Sequence, residues 1–316
     1  MSPFLLKRLA TFVATLIGAS VLIFVVLEIL PGNAAEVILG AEAPRSAVQA
    51  LSLKLGLDRP PVERYFAWIG GMLHGDLGVS YAYGTPVGAL ITDRLALTVP
   101  LAMIAMAWAI ALALALGIFA AERHNRLGDV GVMGLSQVGI AIPNFWFAIL
   151  LILLFAVRLH WFSAGGFPGW SAGFWPALQS LLLPAVALAT VQAAILARIT
   201  RSAVLDVLRE DFVRTARAKG LSRQAALYGH VLRNAMIPVI TIIGLQFANL
   251  LAGTIVVENV FYLPGLGQLI FQSIANRDTI VVRDVVMLLA AMVVTINFAI
   301  DLLYAAIDPR LKVQDV

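Results

Sequence analysis

RTARAKGLSRQAALYGHVLRNAMIPVI, residues Arg214–Ile240, is a polar stretch inside an otherwise apolar chain. Eleven of the forty Lys, Arg, Asp and Glu residues of the 316-residue sequence fall between Arg198 and Arg233. Elsewhere charge is scarce: 61% of residues are hydrophobic and 13% charged, about half the charged share of an average soluble domain. The mean hydropathy is +0.93. Apolar runs on both sides of the stretch reach the roughly 20 residues that cross a bilayer core. The composition is that of an integral membrane protein, and the stretch connects two of its spans.

Long charge-free runs predict six spans: Leu9–Leu27, Leu95–Ala121, Val130–Val157, Leu178–Ala197, Asn234–Val257 and Val285–Ile300. Pro143, within GIAIPNFW, is expected to bend or break the third, because it lacks a backbone donor. The last run is short and is expected to continue past Asp301 to about Ile307. Lys7-Arg8 followed by Leu9–Leu27 has the look of a secretory signal, but the apolar run is too long and no small-x-small site follows, so a retained first span is expected. With the N-terminus inside, fourteen basic residues lie on the inner side: Lys7, Arg8, Arg123, Arg126, eight from Arg198 to Arg233, Arg310 and Lys312. Eight lie outside, five of them in the long Pro31–Arg94 connection where the positive-inside rule acts weakly. The remaining fourteen-to-three bias predicts cytoplasmic termini and a cytoplasmic 198–236 connection. It also accounts for the pI of about 9.6 without nucleic acid.

The missing chemistry narrows function. There are no cysteines, and no phosphate-cradling G-x-x-x-x-G-K-[ST], H-E-x-x-H or G-x-S-x-G. The four histidines are scattered, so no catalytic, cofactor or metal site is expected. The ionisable groups touching the spans are Glu28 and Asp301, both near ends, where a proton- or sodium-coupled carrier places such groups deep. Uncharged polar residues lie deeper: Asn144, Gln246 and Asn249 among them. Gln246, Asn249 and Gly253 share one helical face, which suits either close interhelical packing or a hydrophilic path. The chain reads as a transport pore without its own source of free energy.

Around the opening stretch, Val204, Leu205, Leu208, Phe212 and Ala216 recur at helical steps beyond the fourth span. Gly220 stands where a helix ends in a left-handed turn. Ser222 is positioned to cap a second, short helix from about Arg223 to Arg233, with Pro238 in the opening turns of the fifth span. Local pattern alone leaves two readings open, a solvated re-entry loop and a compact docking knob.

REDFVRTARAKGLS (Arg209–Ser222) followed by HVLRNAMIPVIT (His230–Thr241) resembles the EAA-type loop of bacterial ABC importer permeases, in the form found in the dipeptide/oligopeptide/nickel branch. The resemblance extends nearly end to end through LEILPGNAAEVILG (27–40), LGLDRPPVERYFAWIGGMLHGDLGVSYAYGTPV (55–87), IPNFWFAILLILLF (142–155), VVENVFYLPGLGQLIFQSIANRDTIVV (256–282) and DLLYAAIDPRLK (301–312). It implies an all-α type I importer permease in the bacterial cytoplasmic (inner) membrane. Residues 1–94 would form a first span with a long periplasmic segment, 95–307 a five-helix core carrying the 198–236 coupling loop, and 308–316 a tail. It further implies bilayer lipid, a second related permease as heterodimer partner, two cytoplasmic ATPase subunits that hydrolyse ATP, and an extracytoplasmic solute-binding protein. Carried over by motif, the ATPase contact involves Glu210, Asp211, Ala216, Lys219, Gly220, Leu221, Ser222, His230 and Arg233. Gln246, Asn249 and Asn144 are candidates for the translocation path.

Arg214 and Thr215 replace the glutamate and alanine of the general loop consensus, Arg233 follows Leu232 where that consensus has proline, and Asn33 replaces a common aspartate. The branch admits the first two departures; the third removes any charge-dependent role at position 33. Di- and oligopeptides are the expected solutes, with nickel chelates, opines and glutathione as alternatives within the branch. A self-sufficient secondary transporter or channel is the alternative from another class.

Overall fold

In a computed structural model, residues 3–29, 34–40, 43–54 and 56–307 are described; Asn33 and the 308–316 tail lie outside them. The elements are α1 (Pro3–Ile29), α2 (Ala34–Leu39), α3 (Arg45–Lys54), α4 (Pro61–Leu73), α5 (Val87–Glu122), α6 (Leu127–Ala141), α7 (Asn144–Leu151), α8 (Phe174–Leu208), α9 (Asp211–Ala218), α10 (Arg223–Ala226), α11 (Leu232–Val260), α12 (Leu266–Ala275) and α13 (Thr279–Ile307). Among the described residues the one extended pairing is a bridge between Val79 and Pro86. Five uninterrupted helices are long and apolar enough to cross a bilayer, and α6 with α7 makes a sixth crossing when taken together.

The expected third span is two helices. They meet at 102°: Ile142, ahead of Pro143, is forced to an extended ψ of 122°, because proline's ring crowds a helical predecessor. The last span runs to Ile307 as expected but starts at Thr279. The second and fourth also extend beyond their apolar runs, to Val87 and Leu208, since a helix continues wherever its backbone hydrogen bonds remain satisfied.

The chain divides into two compact units, residues 1–98 with 264–295 and residues 99–263 with 296–316. In the first, α1 packs on α4. Ser20 Oγ meets the Tyr65 hydroxyl at 2.8 Å, Phe24 lies edge-on to Tyr65 and stacked on Trp68, and Glu28 pairs with Arg64. Two buried carboxylates tie this unit together. Asp284 accepts from the Trp68 indole at 2.7 Å. Asp278 accepts from Ser80 Oγ at 2.5 Å and from the Ala82 amide at 3.0 Å. The turn between α4 and α5 is thereby held to the connection between α12 and α13. The rest of α1 exposes Leu9, Val13, Ile17 and Val21, the surface a helix presents to lipid.

In the second unit α8 is central and rich in buried alanine: Ala185, Ala187, Ala189, Ala193, Ala194 and Ala197 are all buried, on more than one side of the helix. Three neighbours meet α8 at glycines. A Cβ at Gly117 of α5 would stand 2.7 Å from both the Ala197 carbonyl and Thr200 Cβ. A Cβ at Gly139 of α6 would stand 3.1 Å from Ala194 Cβ, a tight contact, whereas one at Gly253 of α11 would meet Leu188 at 3.4 Å, an ordinary one. Small residues let helix backbones approach closely where lipid offers no hydrophobic drive for association.

Gly117→Val is accordingly expected to destabilise the chain by about 1–3 kcal/mol, seen as a lower apparent unfolding temperature in detergent. Gly18→Val, where nothing lies within 4 Å of the added carbon, serves as control. Equal unfolding temperatures for the two variants contradict the close approach.

Candidate functional site

The polar stretch folds as a helical hairpin between α8 and α11. The helix leaving the fourth span stops at Leu208, where continuation through Phe212 and Ala216 was expected. Glu210 turns extended (ψ 147°) and its carbonyl accepts the first bonds of α9, from the Val213 and Arg214 amides at 3.1 and 3.3 Å. The break rotates the side-chain pattern, so that Phe212 is exposed and Val213, 1% accessible, is buried in its place. Val213 packs with Ala121, Ala203, Val204, Leu227 and Val231. This apolar plug holds α9 to the ends of the spans.

Two local features shape the turn after α9. Gly220 has φ +96°, its amide donates to the Arg217 carbonyl at 3.0 Å, and the Leu221 amide donates to the Ala216 carbonyl at 3.3 Å. These are the paired bonds of a Schellman termination, whose left-handed residue is normally glycine. Ser222 Oγ then accepts from the Ala225 amide at 3.2 Å, capping the next helix as its position predicted.

That next helix is not short. From Arg223 it passes through a wider turn at Leu227–Val231 into α11 and continues to Val260, 38 residues in all. The expected separate helix ending at Arg233 is therefore the first part of the fifth span. Pro238 sits inside that helix, not in its opening turns. Nothing between Arg223 and Pro238 demands a helix stop, which explains why the backbone runs on.

Of the residues assigned to a docking contact, Glu210, Asp211, Lys219, Gly220, Leu221 and Ser222 are exposed and contiguous around the hairpin, with Ala216 half-buried beneath. His230 and Arg233 are exposed two and three turns into the long helix, roughly 10–15 Å from its start. Asp211 pairs with Arg214 at 2.6 Å, but the two side chains are 91% and 74% accessible, and such a pair contributes little to stability. Three apolar side chains crown the hairpin in the open: Phe212, Leu221 and Tyr228.

A second arrangement beside the hairpin went unanticipated. Arg201 of α8 grips Asp129 of α6 with two bonds, Nε to Oδ1 at 2.5 Å and Nη2 to Oδ2 at 2.7 Å. The Asn125 amide and the His124 ring complete the carboxylate's surroundings at 2.9 and 3.3 Å. Asp129 is 3% accessible, and a fork-on-carboxylate pair of this kind fixes geometry as well as charge. The sequence signal is a lone acid opening an apolar helix, with an arginine just past the fourth apolar run.

Farther along α11, Asn249 Nδ2 donates to Gln246 Oε1 at 2.9 Å; Gln246 is buried and Asn249 exposed. Asn144, first residue of α7 after the break, brings its Nδ2 to 3.5 Å from where a Gly253 Cβ would stand. The break at Pro143 thus delivers a polar side chain to the face that carries Gln246, Asn249 and Gly253. Asn144 Oδ1 and Gln192 Oε1 are buried without a hydrogen-bond partner. Among the described residues no three His, Asp or Glu side chains gather as a metal site.

Residues 113–313 match the family model for the binding-protein-dependent transport system inner membrane component, and residues 1–102 its N-terminal counterpart. A putative peptide transport system permease protein of Brucella abortus (strain 2308) is 39% identical, with 99% of each chain covered. The glutathione transport system permease protein of Escherichia coli (strain K12) is 40% identical, again over 99% of both. In fold, the chain is similar to an amino acid ABC transporter (TM-score 0.55, 16% identity, 69% of this chain and 94% of that one). It is likewise similar to the inward-facing MetNI methionine ABC transporter (0.54, 17%, 69% and 96%). The chain belongs to the family of binding-protein-dependent transport system inner membrane components: it is a multi-pass inner-membrane permease subunit of an ABC importer, a non-catalytic component that works with an ATPase and other membrane subunits.

Proposed function

We propose that this permease forms half of a translocation path for peptides, in a heterodimer with a related permease, served by two ATPase subunits and an extracytoplasmic solute-binding protein. Residues 1–94 are an addition to a 95–307 core, and both termini and the hairpin face the cytoplasm. The positive-charge bias supports that orientation, and the separate match of the first 102 residues supports the division. The peptide reading rests on the names of the relatives and on Asn144, Gln246 and Asn249. Each carries an amide that both donates and accepts, matching the two groups of a peptide bond. Glutathione, itself a short peptide, falls in the same chemical class.

The observation that carries the coupling role is the hairpin's construction. Its outer surface presents Phe212, Leu221 and Tyr228 among exposed charges, while Val213 and the Gly220 turn fix its shape. Engaging an ATPase subunit buries the apolar crown; the charged residues Glu210, Asp211, Lys219 and Arg233 set the register. Because the helix is unbroken from Arg223 to Val260, about 57 Å at 1.5 Å per residue, a push on the hairpin moves Gln246 and Asn249 directly. The displacement passes through the wider turn at Leu227–Val231 and past Pro238.

Gly220→Val strains the positive-φ position of the hairpin turn, at a cost of about 1–3 kcal/mol, while nothing obstructs the side chain itself. The variant is expected to insert and assemble, yet to lose solute-stimulated ATP hydrolysis and uptake in proteoliposomes of the whole transporter. Wild-type stimulation in a correctly inserted variant rejects the coupling role. Val213→Ala leaves the exposed contact surface intact but removes about 1–2 kcal/mol of anchoring; faster tryptic cleavage at Arg214, Arg217 and Lys219 is the expected sign. For the solute, the partner binding protein is expected to gain thermal stability with a peptide or glutathione. A shift with nickel chelates or opines alone overturns the peptide reading.

A further inference from the structure

A cavity of about 210 Å³ opens beneath the hairpin, between the end of α8, α9, the start of α10 and the turn after α5. Its floor includes Leu208 and Val213, and its rim carries Arg209, Arg217, Arg223 and His124. The charges around it are unevenly satisfied. Arg223 donates to the Glu122 carbonyl at 3.1 Å, and His124 faces Asp129, which Arg201 already holds. Arg209 and Arg217 have no ion pair or side-chain hydrogen bond among the described residues. Asp211, the acid of α9, is engaged outward with Arg214. Arg209, Arg217 and Arg223 thus line one small hollow whose lining includes no carboxylate among the described residues.

We infer that this hollow binds a phosphate group. Guanidinium forks match phosphate oxygens two at a time, and the apolar floor lowers the local dielectric, strengthening each contact. A phosphate group of this charge has two sources. One is the headgroup of an anionic phospholipid, since basic pockets between membrane helices receive such headgroups. The exposed apolar surface resumes at Leu127 and Val130, just past His124, so the hollow borders the surface that meets the bilayer. The other source is soluble phosphate. Either way the bound anion neutralises the underside of the hairpin and bridges α8, α9 and α10. The inference uses none of the residues assigned to the ATPase contact, and it stands or falls separately from that reading.

The test is site-resolved labelling of arginines with phenylglyoxal in the full-length chain, held in nanodiscs of phosphatidylglycerol or of phosphatidylcholine, with peptide mapping by mass spectrometry. Arg209 and Arg217 are expected to react roughly tenfold more slowly in phosphatidylglycerol, while exposed Arg214 reacts alike in both. That result assigns the site to lipid. Protection of Arg209 and Arg217 in phosphatidylcholine on adding millimolar inorganic phosphate, with none from phosphatidylglycerol, assigns it to the soluble anion. Arg209→Gln with Arg217→Gln is expected to abolish preferential retention of phosphatidylglycerol, or the stabilisation by phosphate, whereas Arg214→Gln leaves both. Equal labelling of Arg209 and Arg217 in every condition, or slowing of Arg214 to the same extent, overturns the proposal.

Discussion

The close approach of three helices to α8 is the constraint on which the second unit depends. Alanines along α8 and glycines at 117 and 139 on its neighbours bring backbones together where larger side chains would hold them apart. Inside a bilayer, apolar side chains gain nothing by leaving lipid for protein, so dispersion contacts at short range must supply the association. The same approach places the polar atoms. Gly253 sits close to Asn144 only because α11 lies against Leu188 of α8, and Arg201 reaches Asp129 because α6 lies along α8. A larger residue at Gly117 or Gly139 would therefore displace such polar groups as well as loosen the packing.

Rigidity in the hairpin comes from different physics. Outside the hydrocarbon, burial of Val213 among Ala203, Val204 and Val231 is favourable because it removes apolar surface from water. The Gly220 turn satisfies two end carbonyls of α9, and Ser222 starts the next helix at once. The hairpin is consequently short of free backbone groups and firmly joined to two long helices. In the proposed coupling this matters more than any individual charge, because a soft element would absorb the displacement it is meant to transmit.

Much of this was legible in the sequence, for identifiable reasons. Spans are readable because hydrocarbon admits only long apolar helices, and Pro143, Gly220 and Ser222 each act through their own covalent structure on adjacent residues. What escaped was decided by partners distant in sequence. The stop at Leu208 carries no proline or glycine; it reflects where Val213 finds a buried site. That stop leaves Phe212, expected on the packed stripe, exposed and buries Val213 instead. The long helix from Arg223 was obscured because charged and apolar lengths of one helix resemble two elements. Asp129 and Arg201 are 72 residues apart, and neither position alone signals the pair.

The polar residues deep in the second unit differ from that pair in kind. Asp129 has every strong partner it needs, so it locks helices together. Asn144 Oδ1 and Gln192 Oε1 are buried with no hydrogen-bond partner within the described chain, and such a group costs about 1–3 kcal/mol unless water, a partner subunit or a solute supplies the bond. In the proposed path, an amide with capacity to spare beside a broken helix suits a passing solute, which fills that capacity for a moment and then vacates it. Weak, reversible satisfaction is what a path requires: tight binding within the permease would hold the solute and stall the cycle. Neutral amides at Asn144, Gln246 and Asn249 meet that demand better than the charged clamp at Asp129, and this is why the proposed route follows the Pro143 break and not the ion pair.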